Sequence, residues 1–434
     1  MASYQQLPTA DRSSYVDVST TRHEDPEHDH LFEASRSLTH ESSEKALGQR
    51  RRYIYSGLAL LVCLITFVVQ TEVAGYLATT LQYKKPIFML YITHSSWTLL
   101  WPLQILILRL VKYHLPFSTF FRLHLKTVLS TAEMILDHNT GDHLSRSHHH
   151  TPQQFTPENT LPRAKALLSQ ILKICFYLFL ALTVAGSSWY IAINLTTTSD
   201  ITAIYNCSAF FAYAFSVPLL HEPLRRDKAF SVILAMVGVF IVAYGGGTDQ
   251  NEDDAAKYPF RVWGNLIIGV GAVLYGLYEV LYKKLACPPS AVSPRRQAVF
   301  ANVVGSGIGL CTLCVLLIAL PILHWTGVER FELPRGQILG LLCASIVSNM
   351  LFSGGMLVLM SLTSPVLSSV ASLLTIFIVA IVDWFLFSVP VTLAGLIGGI
   401  MIIAAFLLLS YATWLELQAE DDTELEDEYN QEVN

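Results

Sequence analysis

Apolar residues arrive along this chain in long blocks set apart by short polar stretches. The blocks run at roughly 53–80, 86–110, 167–193, 201–220 and 229–244, then at 262–282, 298–320, 338–362, 366–387 and 391–411. Each is near the roughly 20 residues an α-helix needs to cross a bilayer core, and a helix closes its own backbone hydrogen bonds where water cannot reach. The pattern predicts an all-α, polytopic membrane protein with about ten transmembrane helices in two sets of five.

The two sets echo one another. Residues 194–247 form a polar-faced apolar block, a short turn reading HEPLRRDK and a glycine-dotted apolar block, and residues 359–410 repeat that plan. The turn prolines Pro223 and Pro390 lie 390 − 223 = 167 residues apart, and Thr198-Ser199 and Thr363-Ser364 lie 363 − 198 = 165 apart. A duplicated pattern in a membrane chain points to a transporter built from repeats. The copies are unequal in chemistry. Where the first has Asp200, Asn206, Tyr213 and Glu222, the second has Pro365, Ala371, Ile378 and Phe387.

With 52% hydrophobic and 14% charged residues among 434, the chain is not a soluble enzyme. The first fifty residues are polar, and the block that follows is too long for a cleavable signal core, so it is expected to be an uncleaved anchor. Arg50, Arg51, Arg52, Arg225, Arg226, Lys228, Lys283, Lys284, Arg295 and Arg296 all fall on one side of a ten-span arrangement, against Lys84, Lys85 and Arg330 on the other. The positive-inside bias then puts both termini in the cytoplasm.

The expected organisation is a disordered cytoplasmic tail over 1–49, a first five-helix repeat over 50–247 with a cytoplasmic loop at 111–163, an acidic lumenal or extracellular loop at 248–261, a second repeat over 262–411 and an acidic cytoplasmic tail over 412–434. His23 to His30 reads as a solvated acidic run, Tyr15 to Val18 fits a sorting pattern that chance supplies often, and His148 to His150 sit in the loop. The sequon at Asn194 is expected to be unused, being tight against the membrane. Seven cysteines, mostly within apolar blocks, form no disulfide framework, and Cys311 with Cys314 reads as small-residue packing. No metal and no cofactor is expected.

Solute chemistry belongs where polar groups interrupt apolar helices, because charged side chains there cost roughly 2.5–3.5 kcal/mol on insertion scales. In the first block Gln70 and Glu72 are read as cavity-lining, or as interfacial if the helix ends there. In the sixth, Tyr275, Tyr278, Glu279 and Tyr282 recur at i, i+3, i+4 and i+7, giving three rings and one carboxylate on one face. That face suits an aromatic or cationic solute; the competing reading is an interfacial tyrosine belt with Glu279 paired to Lys283 at i+4. In the fourth, Asn206 and Tyr213 belong to a polar stripe, Asn206 lining a cavity or bonding across helices, while Asp200 caps the helix. His94, Trp97 and Asn349 are weaker candidates. Glycines Gly238, Gly245, Gly395, Gly398 and Gly399 of the fifth and tenth blocks allow close helix approach, within the chain or in a homodimer.

The run SDITAIYNCSAFFAYAFSVPLLHEPLRRDKAFSVILAMVGVFIVAYGGG, with Asp200, Asn206, Glu222 and Gly238 in place, resembles the drug/metabolite transporter superfamily (EamA-type), most of all solute carrier family 35 subfamily F. YEVLYKKL and YKKPIFMLYITHSSW are similar to that subfamily's sixth helix and its entry to the second. Glu72, Glu279 and the long loop depart from it. The resemblance implies two inverted five-helix repeats around a central cavity that opens alternately to each side. It implies a secondary transporter of a small organic solute, a vitamin, nucleoside or related metabolite. The scarcity of basic residues inside the membrane favours a neutral or cationic solute over the alternative of a nucleotide-sugar antiporter, and the resemblance favours a thiamine-like cation. A transport-inactive receptor or scaffold is the alternative of another class. No enzyme signature and no nucleic-acid partner is expected, and the family tilts the location toward an endomembrane, Golgi or vacuole, rather than the plasma membrane.

Overall fold

A computed structural model describes residues 26–83, 85–140, 157–192, 195–196, 198–245, 259–289, 292–387 and 392–433. They fall into two compact units, 1–50 and 51–434, and the packing and the site described below belong to the second. Every regular element among the described residues is helical. The protein is an all-α polytopic membrane protein, and eight of its described helices are long and apolar enough to cross a membrane.

Four of these are uninterrupted helices of the first set and its entry to the second: α1 (Pro26–Thr79), α5 (Pro157–Ala192), α8 (Arg226–Tyr244) and α9 (Arg261–Ala286). Three more are α10 (Pro294–Trp325), α11 (Gly336–Leu362) and α14 (Leu393–Val433), and the eighth is the fourth block, Asp200–Leu220. The second block is interrupted: α2 (Pro86–Ser95) tightens into a 3₁₀ turn at Ser96–Leu99 before α3 (Leu100–Val111).

The fourth and ninth blocks are also broken, and in the same way. The fourth is α6 (Thr198–Asn206) followed by α7 (Ser208–Leu220), and the ninth is α12 (Pro365–Ser372) followed by α13 (Leu374–Phe387). At the first joint Cys207 N–H donates to Ile204 O at 3.1 Å and Phe210 N–H to Cys207 O at 3.0 Å. At the second Leu373 N–H donates to Val370 O at 3.1 Å and Ile376 N–H to Leu373 O at 3.1 Å. Both joints are therefore single 3₁₀ turns, tighter than the α-helix on either side. They lie 373 − 207 = 166 residues apart, between the 165 and 167 of the sequence echo. The second copy starts sharply because Ser364 Oγ accepts from Leu367 N–H at 3.1 Å and Pro365 occupies the first turn.

Glycines set the closest approaches. A Cβ on Gly276 of α9 would come within 2.8 Å of Ala212 N and Ser208 O, so α7 lies directly on α9. A Cβ on Gly238 of α8 would lie 2.8 Å from Gly398 O of α14. These two glycines, which the sequence offered equally to a dimer, face each other inside one chain.

Two polar segments, 26–49 and the loop over 111–163, differ from expectation. Residues 26–49 are helical, as the start of α1, and the acidic tail continues α14 to Val433. The loop over 111–163 contains α4 (Phe117–Thr140), which buries Phe120, His124, Val128, Thr131, Ala132 and Ile135 along one face. Val128, Ala132 and Ile135 join a core with Leu178 and Phe179 of α5 and Phe300 of α10. The helical period in that loop was masked by its polar composition. Tyr15 to Val18, His23, His148 to His150, Asn194, residues 248–258 and Pro390 lie outside the described residues.

Candidate functional site

Helix α9 carries three of the predicted site residues, Tyr275, Tyr278 and Glu279. Its apolar face and its Gly276 contact with α7 sink it into the bundle, so Tyr278, Glu279 and Tyr282 are fully buried or nearly so and Tyr275 is partly buried. The rings form a continuous edge: Tyr205 of α6 stands 5.4 Å from Tyr275, Tyr275 5.8 Å from Tyr278, and Tyr278 6.5 Å from Tyr282, centroid to centroid. The Glu279 carboxyl lies within this edge with no exposed surface. Ser369 of α12 faces it, one helical turn before the second 3₁₀ joint, yet neither carboxyl oxygen closes a hydrogen bond of ordinary geometry. The broken helices thus flank α9: Tyr205 lies just before the first joint and Ser369 just before the second.

The interfacial belt is excluded by that burial, and so is the pair with Lys283. The Lys283 Nζ turns to the end of α11, donating to Met360 O at 3.1 Å, Ser361 O at 2.9 Å and Thr363 O at 2.6 Å. Three carbonyls that a helix C-terminus leaves open are satisfied by one ammonium, in the favourable sense of the helix dipole. Tyr282 anchors the same helix, its hydroxyl donating to Leu357 O at 3.1 Å.

A second polar cluster closes the opposite end of α9. Asp200 does more than cap α6. Its Oδ2 accepts from Arg261 Nε at 2.6 Å, Asn265 Nδ2 at 3.0 Å and Thr196 Oγ1 at 2.8 Å, and its Oδ1 from Arg261 Nη2 at 3.0 Å and Tyr244 OH at 2.8 Å. One carboxylate therefore ties together the start of α6, the end of α8 and the start of α9. Sequence reading missed Arg261, Asn265 and Tyr244; the signal available was an acid, a phenol and a base at the ends of three neighbouring spans.

The remaining predicted residues separate. Asn206 Nδ2 donates to Thr202 O of its own helix at 2.7 Å, so the amide folds back beside the first joint instead of bonding across helices. Tyr213 sits with the turn after α7, its hydroxyl donating to Arg225 O at 3.1 Å. There Lys228, itself buried, meets Glu416 of α14 at 2.5 Å and Glu222 at 3.8 Å. Gln70 and Glu72 are half-buried on α1, and Gln70 Oε1 has no hydrogen-bond partner among the described residues. They stand 70 − 63 = 7 and 72 − 63 = 9 residues beyond Cys63, which is where α1 touches Gly355 of α11, so they lie roughly 10 Å or more along the axis from that contact. Of the weaker candidates, Trp97 Nε1 donates to Asn349 Oδ1 at 2.9 Å, which gives both a structural task.

Buried polar groups on an apolar helix flanked by two broken ones suit a polytopic membrane transporter. No family model matches the chain. It is 30% identical over 255 residues to an uncharacterized transporter of Schizosaccharomyces pombe, covering 57% of this chain and 69% of that one. It is 24% identical over 222 residues to solute carrier family 35 member F3 of Homo sapiens, covering 50% and 48%, so the match spans about half of that relative. It is 24% identical over 373 residues to the thiamine-repressible mitochondrial transport protein of Saccharomyces cerevisiae, covering 82% and 91%. The chain belongs to the drug/metabolite transporters of the solute carrier family 35 F type.

Proposed function

We propose that this transporter moves a small organic cation of the thiamine-like class by alternating access, with the solute held at the Glu279 carboxyl against Tyr275, Tyr278 and Tyr205. The observation that carries this reading is a carboxyl without exposed surface whose neighbouring lysine is committed elsewhere. A carboxyl in such a place is tolerable in two states, protonated or paired with a cation. A solute cation and a coupled proton can therefore exchange at one group. The phenol faces add cation–π attraction, worth about 2 kcal/mol when desolvated. The 3₁₀ joints at Cys207 and Leu373 supply the points about which α6 and α12 can move against α9. Gln70 and Glu72 on α1 are assigned to the approach path, and Asn206 to the wall beside the first joint. The basic loops and the family point to cytoplasmic termini in an endomembrane, Golgi or vacuole.

The test is uptake by the full-length protein in proteoliposomes. Saturable uptake of labelled thiamine, or of a related cation, is expected from the wild type, with at least a tenfold loss in Glu279→Gln and retention in Tyr275→Phe. Unchanged uptake after Glu72→Gln and Glu279→Gln together sinks the carboxyl assignment. Exchange of a nucleotide sugar in place of the cation establishes the rival substrate class.

A further inference from the structure

A cleft of ≈ 260 Å³ opens where α4 crosses the end of α3 and the start of α10. Its floor is apolar, with Leu108, Phe120 and Val299, and its rim carries Lys112, Arg295 and Arg296. No acidic side chain lines it. Lys112 and Arg295 are exposed and make no ion pair among the described residues, while Arg296 donates only to hydroxyls, Nε to Thr131 Oγ1 at 2.6 Å and Nη2 to Ser130 Oγ at 2.5 Å. Three cations thus converge with no counter-charge among the described residues. The field is felt by His124, which also lines the cleft: burial first, and the Lys112 ammonium second, depress its pKa.

The level in the membrane is fixed by the helices. α3 ends at Val111 and α10 begins at Pro294, so the cleft lies where helices leave the hydrocarbon. α4 lies alongside with Phe117, Phe121 and Leu123 exposed, as on an interfacial amphipathic helix. Basic rim, apolar floor and interfacial depth match one ligand chemistry, a phosphate diester with acyl chains attached. We infer that this cleft binds the headgroup of an anionic phospholipid in the leaflet where α3 ends and α10 begins, and that the lipid helps to hold α4 on the bundle. Juxtamembrane basic side chains attract such lipids, while the acyl chains continue over the exposed face of α4.

Trp101 reports on the cleft, because its Nε1 donates to His124 Nε2 at 3.0 Å. The full-length protein is placed in phosphatidylcholine nanodiscs containing either brominated phosphatidylserine or brominated phosphatidylcholine, and Trp101 emission is taken as the difference between wild type and Trp101→Phe. Preferential quenching by the anionic lipid is expected, with apparent affinity falling about fivefold for each charge removed in Arg295→Gln and Lys112→Gln. Arg295→Lys should keep it. Should the double variant fail to fold, Arg295→Gln alone, at an exposed side chain, reads the same effect at half strength. Equal quenching by both lipids, or undiminished quenching in the neutralised variants, overturns the site. Displacement of the lipid by inorganic phosphate or glycerophosphoserine at matching concentration also overturns it, by assigning the cleft to a soluble phosphate.

Discussion

Arg261 holds Asp200 through one edge of its guanidinium, Nε to Oδ2 at 2.6 Å and Nη2 to Oδ1 at 3.0 Å. The carboxylate side chain is 2% exposed and the guanidinium 33%, so the pair sits at the rim of the bundle with its acidic half inside. Five hydrogen bonds converge on that acid and join three helices.

Asp200→Ala leaves Arg261, Asn265 and Tyr244 with their donors turned toward a missing acceptor. Because Arg261 is partly solvated, a loss of about 2 kcal/mol is expected rather than the larger figure for a fully buried pair. Arg261→Lys should also destabilise, since an ammonium cannot reproduce the two-point contact. Denaturant unfolding in detergent checks both. Equal stability of Arg261→Lys and wild type contradicts the bidentate reading.

Lys283 and Glu279 are four residues apart on α9, yet they should behave as independent groups. Lys283→Met strips the side-chain donor that Met360 O, Ser361 O and Thr363 O share and should cost about 1–3 kcal/mol. Glu279→Gln should leave stability nearly unchanged while abolishing transport. A double-mutant cycle measures their coupling, and a coupling energy above about 1 kcal/mol restores the ion pair that the geometry rejects.

The docking of α4 should weaken in acid. His124 Nε2 accepts a hydrogen bond from Trp101, which requires the neutral ring, and burial together with Lys112 lowers its pKa from 6.5. The unfolded or undocked helix therefore binds the proton more readily than the docked one. The stabilisation is whole above the ordinary value of 6.5 and is lost as pH falls through the depressed one. The hydrogen-exchange protection factors of residues 117–140, which divide out the intrinsic pH dependence of exchange, should fall below about pH 6, and His124→Phe should remove that acid dependence. Protection factors that stay flat down to about pH 4.5 would show that the imidazole does not hold the helix.

Much of this was legible in the residues. Block length and polarity foretold the all-α membrane bundle, because hydrocarbon solvates only closed backbone. The spacing of Tyr275, Tyr278 and Glu279 foretold one face of α9, because helical period alone decides which residues share a side. Other features were invisible for equally physical reasons. Asp200 looked like a cap because its partners Tyr244 and Arg261 are 44 and 61 residues away. Asn206 and Tyr213 were offered to a solute, but side-chain direction turned one to its own helix and the other to the turn.

By itself the sequence determined what must be hidden from water, how many residues each crossing takes and which residues share a helical face, since these depend on local period and transfer free energy. Tertiary structure alone decided which polar groups meet. It sent Lys283 to the end of α11, put Ser369 before Glu279, and brought Lys112, Arg295 and Arg296 around one cleft. Those outcomes depend on how close two backbones can come, as at Gly276, and on directions that no single helix contains.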